Sequence, residues 1–399
     1  MIEAILANNR AIFLIGFVVV LAGLMWLDRK NIDRVSILFF RRTKKGVEGI
    51  DKIAKKAPRF WEAYGSLGVV IGVLTIFVST GLIGYSIFEL GTGITEGEER
   101  TGQETGGPAL VLPGIGDGYD LRPGVLFVPA EYWIISVAIL MFVHELSHGI
   151  TARAEDFEIN SVGIIVLGIL PGAFVEPKGE KMLPGSEVDE NSTGLWDQGG
   201  WKSRLKVLCA GSWANYIVGG LFLLLFFGMT QTSVIYGVQD GYPAQEAGMN
   251  NGTLFEINGE VIRSTGDVEE ALEGLQPGDN VEFYTSEGNF TVTATTHPDE
   301  EQEGGYVGIQ FGENREPSLN DQGYPGLMAW LIGLIGTIAF LNLAIGLFNM
   351  LPAKPLDGGQ VVDTLVREFK GEEYVSYVNW ASLAIWVIVL GSLVVSVLL

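Results

Sequence analysis

The chain has three histidines in 399 residues, and two of them stand four apart in Phe142-Val143-His144-Glu145-Leu146-Ser147-His148-Gly149. On a helix this spacing puts both imidazoles on one face, one turn apart, where they can share a zinc ion with the Glu145 carboxylate beside it. The competing reading is a polar face on an ordinary helix without metal. The surrounding sequence argues against it, because the pair closes an apolar run that begins near Trp133. An apolar helix offers ionisable groups no solvated face, so they need a compensating partner, and a metal ion fits these residue types. His297, in Thr296-His297-Pro298-Asp299, reads as an exposed loop residue outside any ligand set.

A hydrolytic zinc centre takes three protein ligands and keeps one position open. The single cysteine, Cys209, permits neither an intrachain disulfide nor a cysteine cage, so the site must use histidine and carboxylate. Asp357 is the candidate, since it follows Pro352 and Pro355 and precedes Gly358-Gly359. Its other reading is an N-cap for a helix running from Gly359 to Glu368. Beside zinc, Glu145 suits the role of general base, taking a proton from the attacking water and passing it to the leaving nitrogen of a peptide. An amide such as Asn215 could hold the developing oxyanion, or could simply hydrogen-bond a neighbouring helix.

The elements that must position these groups are membrane spans. With 48% hydrophobic residues gathered into long blocks, the chain reads as an integral membrane protein. Spans are expected at about 11–27, 63–90, 131–153, 207–229, 326–350 and 376–399. The first is read as an anchor, because no small-residue cleavage site follows it. Segment 28–60 carries eleven Lys and Arg against four acids, which assigns it to the cytoplasm. The N-terminus is then outside, the Gly-rich acidic loop 91–130 is outside, and His144, His148 and Asp357 share the cytoplasmic side. Residues 161–175, β-branched and broken by Gly and Pro, read as strands or a re-entrant hairpin near the metal, or equally as an ordinary soluble hairpin.

Residues 231–315 change character. Alternating stretches at 280–284 and 290–294, a polar helix at about 266–274, and turn signals at Asn258-Gly259, Pro277-Gly278 and Glu287-Gly288 describe a small α/β domain inserted between spans. Stretch 231–320 holds seventeen acids against Arg263 and Arg315, which argues against nucleic-acid partners. It suggests a salt-adapted, haloarchaeal source. The isolated 231–320 fragment is then expected to fold only in molar salt, as read by circular dichroism; a cooperative unfolding transition at low salt would contradict this.

Together, His144-Glu145-x-x-His148, Asn349-x-x-Pro352-x-x-Pro355-Leu356-Asp357-Gly358 and the intervening Ala210-Gly211-x-x-x-Asn215 resemble the site-2 protease family of intramembrane zinc metalloproteases. The resemblance covers about 131–370 and leaves the first two spans as an added pair. It implies one zinc ion per chain on His144, His148 and Asp357, a catalytic Glu145, and contacts of Asn215 and Asn349 with substrate or intermediate. Ser212 stands where the family commonly has proline. Gly241-Tyr242-Pro243-Ala244-x-x-Ala247-Gly248, Phe255-Glu256-Ile257-Asn258-Gly259 and Pro277-Gly278 are similar to a PDZ domain, which binds extended peptides.

The resulting expectation is a multi-span α-helical membrane protein of about six transmembrane helices with an inserted PDZ-like domain. Its parts are an N-terminal helix pair (1–90), an acidic extracytoplasmic loop (91–130), a first core half (131–229), an extracytoplasmic PDZ-like domain (231–315), and a second core half with the final span (326–399). The resemblance implies a transmembrane protein substrate in the cell membrane and a peptide ligand for the PDZ-like domain. The alternative is an inactive, membrane-anchored PDZ-type scaffold, which the complete candidate ligand set disfavours.

Overall fold

The computed structural model describes residues 9–35, 38–96, 109–116, 119–122, 124–167, 170–179, 194–298, 304–317 and 325–398. Parts of the acidic loop (97–108, 117–118, 123), residues 168–169 and the polar segment 180–193 lie outside the described residues. The chain divides into two compact units, one of residues Met1–Leu223 and Gly333–Leu399, the other of Leu224–Ile332.

In the first unit the chain runs through α1 (Asn9–Leu27), β1 (Ile32–Val35), β2 (Leu38–Thr43), α2 (Val47–Lys56) and α3 (Pro58–Glu96). It continues with β3 (Leu110–Gly114), β4 (Asp120–Arg122), β5 (Val125–Pro129), α4 (Ala130–Ala154), β6 (Ile159–Leu167), β7 (Leu170–Pro177) and α5 (Trp201–Met229). Beyond the second unit, whose sheet begins at β8 (Thr230–Val238), this unit is completed by three helices given below.

The second unit continues with α6 (Pro243–Glu246), β9 (Gly252–Ile257), β10 (Glu260–Val261), α7 (Thr265–Ala271), β11 (Asn280–Thr285) and β12 (Gly288–Thr293). A short pair, β13 (Thr295–Thr296) and β14 (Gly305–Tyr306), precedes β15 (Ile309–Pro317). The main sheet has the order β12-β11-β9-β8-β15, with β10 also paired to β9. Burial alternates along β11, and Val281 and Phe283 join Val234, Leu254, Ile257 and Val292 in the core. Asn258-Gly259 turns β9 into β10 with both residues at positive φ, the conformation for which that dipeptide is favoured. Helix α7 starts with a capping box in which Ser264 accepts from the Asp267 N–H.

The chain then returns through α8 (Pro325–Asn349), α9 (Asp357–Phe369) and α10 (Val375–Leu398). Among the described residues, six helices are long and apolar enough to cross a membrane: α1, α3, α4, α5, α8 and α10. The shortest qualifying stretch, 18 residues, rises about 27 Å, close to the hydrocarbon thickness of a bilayer. Large apolar side chains such as Phe77 on α3, Leu224 on α5 and Trp380 on α10 are exposed, as lipid-facing groups are. Helices α4 and α5 are the most enclosed, with 44% and 50% of their apolar windows buried against 6% for α1. His144, Glu145, His148 and Asn215 therefore sit on the two spans most removed from lipid.

Segment 161–175 forms part of an antiparallel hairpin, β6–β7, and its partner was not expected. The basic segment after α1 supplies β1 and β2, giving a four-stranded sheet of order β1-β2-β6-β7 in which β7 is an edge. Gly163 permits the close β2–β6 approach, since a Cβ there would stand 2.2 Å from the Arg41 carbonyl oxygen and 2.6 Å from Phe174 Cζ. Phe40 and Phe174 pack edge to face in the space this leaves. The loop before α4 is also ordered where described, with β3 parallel to β5 and β4 antiparallel to it. There the Tyr119 hydroxyl lies 2.6 Å from Thr337 Oγ1 of α8.

Candidate metal centre

Two of the three donors are fixed by helix geometry alone. His144 and His148 project from one face of α4, with ring planes at 81° and Nε2 atoms 3.0 Å apart. The third comes from 209 residues further on, where Asp357 Oδ2 lies 3.3 Å from His144 Nε2 and 3.4 Å from His148 Nε2. Donors bound at about 2.0–2.1 Å on a tetrahedral zinc are roughly 3.3–3.4 Å apart, so the spacing suits a single ion. Among the described residues this is the group of His, Cys, Asp and Glu side chains close enough to hold a metal. His297 instead packs edge-on against Tyr306 in the second unit.

The protonation pattern strengthens the fit. His148 Nδ1 lies 2.7 Å from the Val207 carbonyl oxygen, so its proton is on Nδ1 and the Nε2 lone pair is free. The fully buried Asn215 carboxamide lies 3.1 Å from His144 Nδ1. Amide oxygen and nitrogen are nearly isosteric. With Oδ1 turned inward it accepts the Nδ1 proton, which satisfies an oxygen otherwise left buried without a partner. Both Nε2 lone pairs then face Asp357 Oδ2, itself buried without a hydrogen-bond donor. Three converging acceptors repel one another unless a cation lies among them.

Asp357 is the first residue of α9; the N-cap is Leu356, and no side chain caps the helix, so the N-cap reading is not realised. The helix N-terminus favours a carboxylate at this position. Gly358 and Gly359 are needed for the tight fold-back, since a Cβ on either would stand 2.2 Å from the Met350 oxygen or 2.3 Å from the Lys354 nitrogen. Helix α10 grips the same loop: Ser382 Oγ accepts from the Lys354 N–H at 3.0 Å, and Trp386 Nε1 donates to the Lys354 carbonyl at 2.8 Å.

Glu145 turns toward β7, where its Oε2 accepts the Val175 N–H at 2.9 Å. Gly149, one residue past His148, lets both β7 and α2 close on the metal helix, because a Cβ there would meet Ile50 at 3.0 Å and Val175 at 3.4 Å. A cavity of about 250 Å³ opens beside the three donors, with Glu145, Val175, Asn349 and Gln360 on its wall. It has room for several waters at about 30 Å³ each. Asn349 Nδ2 lies 3.3 Å from His144 Nε2, at the edge of the same space.

The structure thus brings His144, Glu145, His148, Asn215, Asn349 and Asp357 to one place. Sequence reasoning did not anticipate the Val207 carbonyl or the Val175 N–H, which are main-chain atoms and carry no residue-type signal. Gly211 enters the sequence reading only as part of Ala210-Gly211-x-x-x-Asn215, with no role of its own. A Cβ at Gly211 would stand 2.4 Å from His148 Nε2 and 2.7 Å from His144 Nε2. Gly211→Ala is therefore expected to push the imidazoles apart and weaken zinc binding by about 10–100-fold, read by competition with a chelator. Unchanged affinity would show that the helices absorb the methyl elsewhere.

Residues 132–390 match the sequence profile of peptidase family M50. The chain is 27% identical over 407 residues to an uncharacterized protein of Methanocaldococcus jannaschii, covering 95% of this chain and 97% of that one. It is 28% identical over 315 residues to a protein of Clostridium perfringens named "Putative zinc metalloprotease", covering 62% of this chain and 91% of the relative. A Brucella suis protein of the same description is 26% identical over 337 residues, covering 60% and 86%.

Proposed function

The chain belongs to peptidase family M50, and from that premise we propose that it is an intramembrane zinc metalloprotease that hydrolyses peptide bonds within or near transmembrane helices of other membrane proteins. The observation that carries the proposal is the convergence of His144 Nε2, His148 Nε2 and Asp357 Oδ2 beside a cavity walled by Glu145.

Zinc held by these three groups supplies a Lewis acid and a water acidic enough to be deprotonated near neutral pH. The chain's residues do the rest. His148 is oriented by Val207 and His144 by Asn215, so both present Nε2 in fixed tautomers. Glu145 takes the proton of the attacking water and later delivers it to the leaving nitrogen. The Val175 N–H keeps its carboxylate on the cavity side. Asn349 is the amide placed to donate to the developing oxyanion, while Asn215, wholly enclosed behind His144, acts through that ligand.

A transmembrane helix hides its carbonyls in its own hydrogen bonds, so the substrate must unwind locally before attack. The edge strand β7, whose Val175 already touches Glu145, is the surface along which an unwound segment would pair. The second unit's six-stranded main sheet with its two short helices supports a PDZ-like peptide-binding module. The orientation rests on charge: eleven of the chain's 25 basic residues lie in 28–60, whose strand β2 pairs with β6 beside the metal helix. The metal end is accordingly the cytoplasmic end.

Co-expression with a reporter carrying a single membrane helix tests this reading. Mass spectrometry should find a cut within or next to the apolar segment and release of the cytoplasmic part. Cuts confined to outer loops, or none, would contradict it.

A further inference from the structure

Helix α3 lies outside the part of the chain that matches the family profile, yet it reaches the metal centre. The Tyr64 hydroxyl is 2.8 Å from Ser147 Oγ, and Ser147 is the residue before His148. Ser147 Oγ donates in turn to the Ala210 carbonyl at 2.8 Å, with Tyr64 Oη 3.3 Å from the same oxygen. Ala210 is the residue before Gly211, the one whose missing side chain makes room for the two imidazoles.

The backbone of α3 is built for this approach. A Cβ at Gly65 would stand 3.0 Å from Lys206 Cβ on α5 and 3.2 Å from Thr151 Cγ2 on α4. One at Gly68 would meet Trp213 at 3.3 Å, and one at Gly72 would meet Cys209 Sγ at 2.6 Å. Positions 65, 68 and 72 share one helix face. Helix α3 is thus seated in the groove between the two helices that carry the site, with Tyr64 directed at the bond joining them.

We infer that Tyr64 is a positioning residue of the metal centre, and that α3 is a working wall of the site. Ser147 has one hydroxyl proton, and it is committed to Ala210. Tyr64 therefore donates to Ser147 Oγ and holds that hydroxyl in place. The pair fixes the register of α4 against α5. That register presents the Val207 carbonyl to His148 Nδ1 and keeps Gly211 over the imidazoles. The inference rests on the proposed zinc site and extends it to a span beyond the matched region.

The test uses full-length protein with Tyr64→Phe, Ser147→Ala, the double variant, and Thr80→Val as a control for a hydroxyl on the exposed face of the same helix. Zinc affinity is read by chelator competition, ligand geometry by the visible spectrum of the cobalt-substituted protein, and fold by thermal unfolding. Each single variant should lower zinc affinity about three- to tenfold, less than a direct partner of a ligand would, and alter the cobalt bands. The double variant should be no worse than the weaker single, as expected of groups acting as one unit. Thr80→Val should match wild type. If Tyr64→Phe binds zinc within about twofold of wild type with unchanged cobalt bands, the inference is wrong, even if the unfolding temperature falls. Wild-type protein that takes up no zinc would refute the metal centre itself and the inference with it.

Discussion

Exchanging Glu145 for glutamine is expected to lower cleavage of a membrane-helix reporter by about 10²–10⁴-fold, the usual contribution of a general acid–base group, while zinc content stays unchanged. Glutamine has nearly the volume of glutamate, and its amide oxygen can still accept the Val175 N–H, so β7 and α4 keep their contact. What it cannot do is take a proton from water at neutral pH. The loss should fall on kcat more than on KM, because the interaction is made only as the water is deprotonated. Cleavage at the wild-type rate with zinc bound would remove Glu145 from the mechanism.

Asp357→Ala is expected to abolish cleavage and to weaken zinc binding by more than about 100-fold, beyond the range for outer contacts. A second readout has a definite sign. In wild type, zinc binds only the folded chain and should raise its unfolding temperature; in the variant, two histidines remain and that rise should largely vanish. An undiminished rise in unfolding temperature with zinc in Asp357→Ala would remove Asp357 from the ligand set.

The six spans were legible because a membrane crossing requires a long uninterrupted apolar run, a signal that depends on no distant partner. The histidine pair was legible because one helical turn fixes the geometry of two ligands. Asp357 could be reached only by counting spans and noting its Pro and Gly neighbours. Its approach depends on Gly358 and Gly359 packing against residues 350–354 and on α10 holding Lys354, neither of which has a local pattern.

Strands β1 and β2 were hidden in a segment whose charge density argued for a solvated loop. Phe39-Phe40-Arg41-Arg42 becomes a strand because β6, more than 100 residues later, pairs with it and Phe174 packs on Phe40. Asn215 reads in the sequence as an oxyanion contact or a helix–helix hydrogen bond, and its partner, the far nitrogen of His144, could not be read from spacing. A single amide is compatible with either an oxyanion or a ligand contact, and helix rotation decides between them.

The most direct test of the central claim is the rate of reporter-helix cleavage by metal-stripped protein as zinc is added back, plotted against zinc bound per chain. The account predicts no cleavage without zinc, a linear rise, and a plateau at one equivalent. Cleavage that survives stripping, or that fails to return with one bound zinc per chain, would contradict it.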